Sequence, residues 1–274
     1  MERKTDNAGF ERFQTGAAKY AAYLETPEGR LRLDLALANL REFLPPVTRS
    51  LLSLDVGCGT GALAVRLAQL GLHVTLLDAS EPMLDFAMRA AKDAGVTEKI
   101  ALKSGDAASL AGMFPAGSFD VILCHNILEY VDDPCAVLRG AARALREPSG
   151  ILSLLVRNQT GEVLKSAIQD GDLAAAEHQL TAEWGQESLF NGKVRLFTAE
   201  SLQAMLLESS LAATAKRGVR VLSDYLPPTI SRIGEYARIF GLERQLSSRP
   251  EFAAVARYTQ CIAHRAGTMM KDDA

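Results

Sequence analysis

The segment Leu51-Leu-Ser-Leu-Asp-Val-Gly-Cys-Gly-Thr-Gly61 leaves the chain few folds to choose from. Leu51, Leu52, Leu54 and Val56 make a short apolar run, the pattern of a strand buried in a parallel sheet. Gly57, Gly59 and Gly61 follow at alternate positions, where side chains would block a ligand lying against the backbone. Helix formers occupy 62–68, so the glycines sit in a strand-to-helix turn whose backbone N–H groups favour an anionic group. Asp78, 21 residues beyond Gly57, closes the next apolar run, Val74-Thr-Leu-Leu77. An acid placed there accepts hydrogen bonds from a ribose diol in sheets that bind nucleotides.

Alternation of strands and helices continues, which predicts right-handed crossovers and a largely parallel sheet. Strands are expected at 51–56, 73–78, 99–104, 119–125 and 150–157, with helices at 60–70, 81–94, a short one to about 113, and 134–146. Ser80 suits the cap of the second helix, with Pro82 in its first turn and Gly95 past its end. Ahead of the first strand, Phe10, Phe13, Ala17, Tyr20 and Ala21, then Leu33, Leu37, Leu40 and Leu44, recur at helical spacing around a break at Pro27 and Gly29. This prefix reads as scaffold, apart from Arg30 and Arg32 just after the turn. Regular alternation stops after Arg157: 158–197 reads as a helical insertion without a strand, able to cover a pocket. A helix over 199–207 capped by Thr198, a strand at 211–222, a helical insertion at 227–246 and a final strand at 255–264 complete the chain. The whole is expected to be one domain: a prefix 1–50, a ligand-binding half 51–157, the insertion 158–197, and a second half 198–264 interrupted at 227–250.

Composition narrows the class. The 274 residues are 48% hydrophobic and 23% charged, globular values, and the net charge of −3 will not by itself recruit a nucleic acid. The start, Met-Glu-Arg-Lys-Thr-Asp-Asn, has no apolar core for a signal peptide, and no apolar run approaches membrane-spanning length. Cys58, Cys124, Cys135 and Cys261 form no Cys-x-x-Cys pair, which argues against zinc and disulfides and makes the cytoplasm the default location.

The spacing Asp55-x-Gly57-x-Gly59-x-Gly61 differs from the dinucleotide pattern Gly-x-Gly-x-x-Gly and resembles motif I of the class I S-adenosylmethionine (SAM)-dependent methyltransferases. That resemblance implies an α/β, doubly wound, seven-stranded and mostly parallel Rossmann-like sheet, closed by two strands of which the last is antiparallel. The glycines would leave room for the amino-acid tail, and Asp78 would take the ribose. Asp106, with the Ala107 N–H beside it, would face the adenine edge, while Leu77, Ala79 and Met83 would flank the purine. His125 ends the fourth strand beside Asn126, with Glu129 and Tyr130 following; His73, His178 and His264 have no supporting neighbours.

Further segments make the chain similar to the bacterial tRNA 5-carboxymethoxyuridine methyltransferases. They are Thr26-Pro-Glu-Gly-Arg-Leu-Arg32, His125-Asn-Ile-Leu-Glu-Tyr-Val-Asp-Asp-Pro134, Leu152-Ser-Leu-Leu-Val-Arg-Asn158, Gly218-Val-Arg-Val-Leu-Ser-Asp-Tyr-Leu226 and Arg257-Tyr258. The resemblance implies SAM contacts at Arg32, Gly57, Cys58, Asp78 and His125, a further one at Asp106, and a wobble-uridine carboxylate as methyl acceptor. The family's usual Arg-Pro-Gly-Gly is here Arg146-Glu-Pro-Ser-Gly, and 158–197 resembles the family little. A carboxylate is anionic at neutral pH, so such a reaction needs no general base, and paired arginine hydrogen bonds would hold it. Arg157, Arg220 and Tyr225 are the expected cradle. Residues 214–258 carry eight Lys/Arg against four acids, an excess that would meet an RNA backbone or else coat a solvated helix. The alternatives are a small-molecule O-methyltransferase acting on a carboxylate, phenol or quinone precursor, and a SAM-binding protein without catalysis.

Overall fold

The computed structural model describes residues 7–46, 50–187, 189–190 and 192–267, with side chains from residue 13 onward. The first six residues, read above for a signal peptide, and the Phe10 side chain lie outside that description. Two helices, α1 (Asn7–Leu24) and α2 (Pro27–Arg41), precede the sheet. The break between them is a cap: the Thr26 hydroxyl accepts from Gly29 N at 3.1 Å, and Pro27 opens the next turn where its missing N–H costs nothing.

The central sheet contains β1 (Leu52–Val56), β2 (His73–Asp78), β3 (Ile100–Ser104), β4 (Val121–His125) and β5 (Ile151–Arg157). Between them run α3 (Ala62–Gln69), α4 (Glu81–Asp93), α5 (Leu110–Met113) and α6 (Pro134–Ala144). Ser80 caps α4 through Met83 N, as the sequence indicates. Past β5 come α7 (Gln159–Leu164), α8 (Leu173–Gln179), a two-stranded ribbon of β6 (Trp184–Glu187) and β7 (Gly192–Arg195), and α9 (Ala199–Glu208). Last are β8 (Leu211–Val219), α10 (Tyr236–Ser247), α11 (Pro250–Ala253) and β9 (Tyr258–Arg265).

The strand order β3-β2-β1-β4-β5-β9-β8 is parallel except at β9, which runs against both of its neighbours. The seven-stranded, mostly parallel, doubly wound sheet with an antiparallel last strand therefore agrees with the expectation. Leu54, Leu76, Ile122, Leu123 and Leu152 are fully buried because helices cover both faces. Strand order reverses between β1 and β4, and their carboxyl ends open a crevice there.

Four expectations need correction. The insertion 158–197 is not wholly helical: α8 stops at Gln179, and Trp184 opens the β6–β7 ribbon. Side chains alternate there between outside and inside, a period-two pattern too short to stand out in the sequence. The strand expected at 211–222 ends at Val219, because Arg220 takes a left-handed φ of +60°. The helix expected over 227–246 begins only at Tyr236, after a segment headed by two prolines, and the last strand begins at Tyr258 rather than 255.

A buried polar chain ties the prefix and the closing strands to the sheet. Ser247 donates to Asn39 Oδ1 at 3.1 Å, Asn39 Nδ2 to Gln260 Oε1 at 3.0 Å, and Gln260 Nε2 to both Ala36 O and Ser153 Oγ at 3.0 Å. Ser153 Oγ then lies 2.8 Å from His125 Nε2. Gln260 is fully buried, so each partner it abandoned would stay unsatisfied. Gln260→Leu, similar in size, is therefore expected to lower the unfolding free energy by about 1–3 kcal/mol in denaturant titration; an unchanged midpoint would show the chain to be dispensable.

Candidate functional site

A cleft of about 1520 Å³ opens above the carboxyl ends of β1, β2 and β4. Small-molecule sites commonly measure roughly 300–1,000 Å³, so this one exceeds the need of a single nucleoside. Its walls include Gly57, Gly59, Leu77, Asp78, Ala79, Met83, Asp106, Ala107 and His125. They also include Arg32, Arg157 and Arg220. A recess of about 40 Å³ beneath holds Asp55 and Cys58 together with Gly57, Arg32 and His125. Residues expected from seven separate stretches of sequence thus come together. Arg30 and Tyr225 do not line it: Arg30 lies against the Tyr236 ring, and the Tyr225 hydroxyl donates to Gly161 O at 3.4 Å.

The glycine turn is built differently from the sequence picture. Gly57, Gly59 and Gly61 all have positive φ, from +53° to +70°, which other residues rarely adopt. A Cβ on Gly61 would stand 2.8 Å from the Ala87 methyl, so that glycine serves the packing of α3 on α4 and lines neither the cleft nor the recess. A Cβ on Gly57 would meet the Ile127 side chain at 2.6 Å. The turn is held from below by Asp78, whose carboxylate accepts from Gly59 N at 2.8 Å and Ser80 N at 2.9 Å. The Ala79 N–H also favours this carboxylate, whose remaining lone-pair capacity can meet a ligand hydroxyl. Asp106 caps the short turn beginning at Ala107 by accepting from Ala108 N at 2.9 Å.

On the opposite side the prefix is part of the site. Arg32 donates to Asn126 Oδ1 at 3.1 Å and to the Tyr20 hydroxyl at 3.0 Å, among the rings of Tyr20, Tyr23 and Tyr258. Arg157 donates to Glu162 at 3.0 Å and lies over Tyr258; Arg257 reaches the same Glu162 oxygen at 2.6 Å. Arg220 holds Asp224 and donates to the Tyr23 hydroxyl at 3.2 Å. Its left-handed backbone, a strain of about 1–3 kcal/mol, turns this side chain inward. Behind it the buried Glu243 carboxylate of α10 accepts from Val221, Leu222 and Ser223 N and fixes the turn.

Sequence reasoning did not single out Tyr20, Tyr23, Asp224, Glu162 or Tyr258 as site residues. Tyr20 and Tyr23 stand three apart on one helix face, and Arg257-Tyr258 stood among the family-like segments. The basic excess at 214–258 does not form one free surface. Arg217 and Arg244 both pair with Glu42, Arg238 pairs with Glu235, Arg232 donates to backbone carbonyls, and Arg220 and Arg257 are buried.

Electrostatics divides the cleft in two. Burial, aided by Asp78, pushes the Asp55 carboxyl up to about 7, and burial also raises Asp78 against the pull of its backbone N–H donors. This end favours a cation. His125 is pushed down to about 3 by burial and by the Arg32 charge, so its ring is neutral. At the other end burial would raise the Tyr258 phenol, but Arg157, Arg32, Arg220 and Arg257 outweigh it and bring it below its ordinary value. This end favours an anion. A folded-state carboxyl raised from 3.8 to about 7 keeps its proton while the unfolded chain loses it, so Asp55 removes stability as pH climbs through that window. Carbon-13 NMR of the Asp55 carboxyl should give a midpoint near 7, and Asp78→Asn should lower it only part of the way to 4, since burial is the larger cause. A midpoint near 4 in the unaltered protein would refute the dry setting described for Asp55.

A family profile described as "Methyltransferase domain" matches residues 54–154, from β1 to β5. The chain is 27% identical over 247 residues to a tRNA 5-carboxymethoxyuridine methyltransferase of Escherichia coli K12, covering 88% of this chain and 90% of that one. It is 35% identical over 122 residues to a ubiquinone biosynthesis O-methyltransferase of Xanthomonas euvesicatoria pv. vesicatoria, covering 44% of this chain and 49% of the other. Magnesium protoporphyrin IX methyltransferase from Synechocystis, solved with bound SAH, superposes with a TM-score of 0.63 at 15% identity, over 96% of this chain and all of that one, and shares the fold. With the β1–glycine turn–α3 unit, the paired acid closing β2 and this likeness together, the chain is a SAM-dependent methyltransferase on the class I fold and takes SAM as its methyl donor.

Proposed function

We propose that this enzyme methylates the carboxylate of 5-carboxymethoxyuridine at the wobble position of tRNA. The observation that carries the reading is the gathering of Arg32, Arg157, Arg220 and Arg257 around Tyr258 in the cleft wall. Four guanidinium groups face two ion-paired carboxylates, Glu162 and Asp224, and the surplus positive charge suits an anionic acceptor. Burial raises the Glu129 carboxyl, whose Oε1 is already engaged by Asn126 Nδ2 and Arg157 N, both at 2.9 Å. Similarity to the tRNA enzyme along nine-tenths of its length supports the same substrate.

The donor set at the other end fits SAM. Asp55 and Asp78 supply acids for a cationic amino-acid tail and a ribose diol, and Leu77, Met83 and Ala107 supply an apolar wall for a purine. In this reading Arg32, Gly57, Cys58, Gly59, Asp78, Ala79, Met83, Asp106, Ala107 and His125 line the cofactor's place, and Gly61 shapes the turn from outside. Bound there, SAM supplies an electrophilic methyl group on its sulfonium. The protein's own work is to orient and to exclude water. Arg157 and Arg220 hold the acceptor carboxylate, which with a pKa near 4 needs no proton taken from it. Neutral His125, fixed by Ser153, adds no charge to repel the sulfonium. Tyr258 replaces Tyr225 as the phenol of the cradle.

Mass spectrometry of wobble nucleosides after incubation of hypomodified tRNA with the protein and isotope-labelled SAM tests the substrate. The labelled methyl ester is expected. Label appearing instead on a phenol or quinone precursor, with none on tRNA, would assign a small-molecule enzyme. Asp78→Ala should abolish measurable SAM binding in calorimetry. Arg220→Ala should leave SAM affinity intact while lowering transfer by roughly 100-fold or more, the loss expected when a buried charge partner is removed.

A further inference from the structure

The β6–β7 ribbon, in the insertion that departs most from the related family, presents an unusual face. Side chains alternate, and Glu187 and Val194 point inward, where the Glu187 carboxylate accepts from Leu189 N and from Phe190 N at 2.6 Å. Outward stand Trp184, Gln186, Lys193 and Arg195: one large ring, one amide and two cations, with no carboxylate. The Arg195 guanidinium lies 4.7 Å from the Trp184 ring centre, yet the indole is still 44% exposed. The indole therefore keeps a large solvent-facing area beside two cations.

Trp184 and Lys193 also line the cleft, so this face runs into the wall around the acceptor end. Lys19 of α1 and Lys165, the latter paired with Asp170, stand on the same cleft. An isolated two-stranded ribbon is marginal on its own, but this one is clamped. Arg195 N donates to Glu129 O at 3.1 Å, Phe197 N to Arg157 O at 3.0 Å, and the Phe190 ring packs 5.0 Å from Phe13. Gly16 makes room for that ring, since a Cβ there would lie 2.5 Å from it. The platform is therefore held rigidly beside the site. A flat π surface flanked by cations is what a single-stranded nucleic acid needs, a base stacking on the ring and phosphates meeting the charges.

We propose that the outer face of the β6–β7 ribbon is a stacking platform for single-stranded RNA, with Trp184 taking a base next to the acceptor nucleotide and Lys193 a phosphate. It rests on the tRNA reading above and extends it to a contact surface. Arg195 backs the indole and leaves its solvent side to the base.

Trp184 is the chain's one tryptophan, so its emission reports on this face directly. The full-length protein is titrated with an RNA hairpin bearing a single-stranded loop, and in parallel with the fully paired stem. The hairpin should quench Trp184 and the duplex should not, with affinity falling steeply as salt rises. Binding of a dye-labelled hairpin, followed by anisotropy, should weaken roughly 10-fold in Trp184→Ala and far less in Trp184→Phe. Lys193→Gln should reduce the salt slope by about one. SAM affinity should stay unchanged in all three variants, which also verifies their folding. If the hairpin binds normally while Trp184 emission and the Trp184→Ala affinity do not move, the platform is refuted and the tRNA reading stands. If neither RNA binds at any salt concentration, both are refuted. Emission that follows protein concentration rather than RNA would assign the ribbon to self-association and overturn the platform.

Discussion

Four guanidinium groups packed around one phenol set the terms for one whole end of the cleft. Like charges about 6 Å apart repel by about 3 kcal/mol even at an effective dielectric of 20. A buried quartet survives only with compensation, and the chain supplies it from distant places. Arg32 comes from α2, Arg157 from the end of β5, Arg220 from the end of β8 and Arg257 from the start of β9. Glu162 of α7 takes Arg157 and Arg257, Asp224 takes Arg220 and shares Arg257, and Arg32 donates instead to Asn126 and Tyr20. Burial would raise Glu162, but the Arg257 and Arg157 charges hold it below the ordinary carboxylate range. The rings of Tyr20, Tyr23 and Tyr258 offer their faces to the remaining charge. Prefix, insertion and closing strands are thereby locked together by one electrostatic requirement.

The cofactor end follows a different economy. There burial raises both Asp55 and Asp78, the Asp78 charge adds to the shift of Asp55, and Arg32 shares the recess with Asp55. The two ends meet at Arg32, His125 and Asn126. Arg32 binds Asn126, lowers the proton affinity of His125 and belongs to the tyrosine cage. Asn126, with a φ of +54°, is the strained residue of that junction and also donates to Glu129 at 2.9 Å. A single cleft can thus hold a cationic donor and an anionic acceptor side by side without either charge set neutralising the other.

Much of this was legible before any coordinates. The run 51–61 and Asp78 could be placed at a strand-to-helix turn and a strand end because parallel strands advertise themselves as apolar blocks and glycine is favoured where φ turns positive. Ser80 and Thr198 announced their helices because caps act within three residues. Arg157 and Arg220 were legible only through family likeness. Tyr258 stayed hidden because its role depends on four arginines spread over 226 positions of sequence. The ribbon escaped notice because four residues per strand give too little periodicity to compete with the helical runs beside it.

The amino-acid sequence by itself determined the wound sheet, its glycine turn and the acid that braces it, since each depends on neighbours a few residues away. Tertiary structure alone decided which charges share a wall. It buried two arginines of the basic stretch, spent Arg217 and Arg244 on Glu42, moved Tyr225 away and brought Tyr258 in. Coulomb energy depends on separation in space, and chain order says nothing of that distance until the sheet has closed.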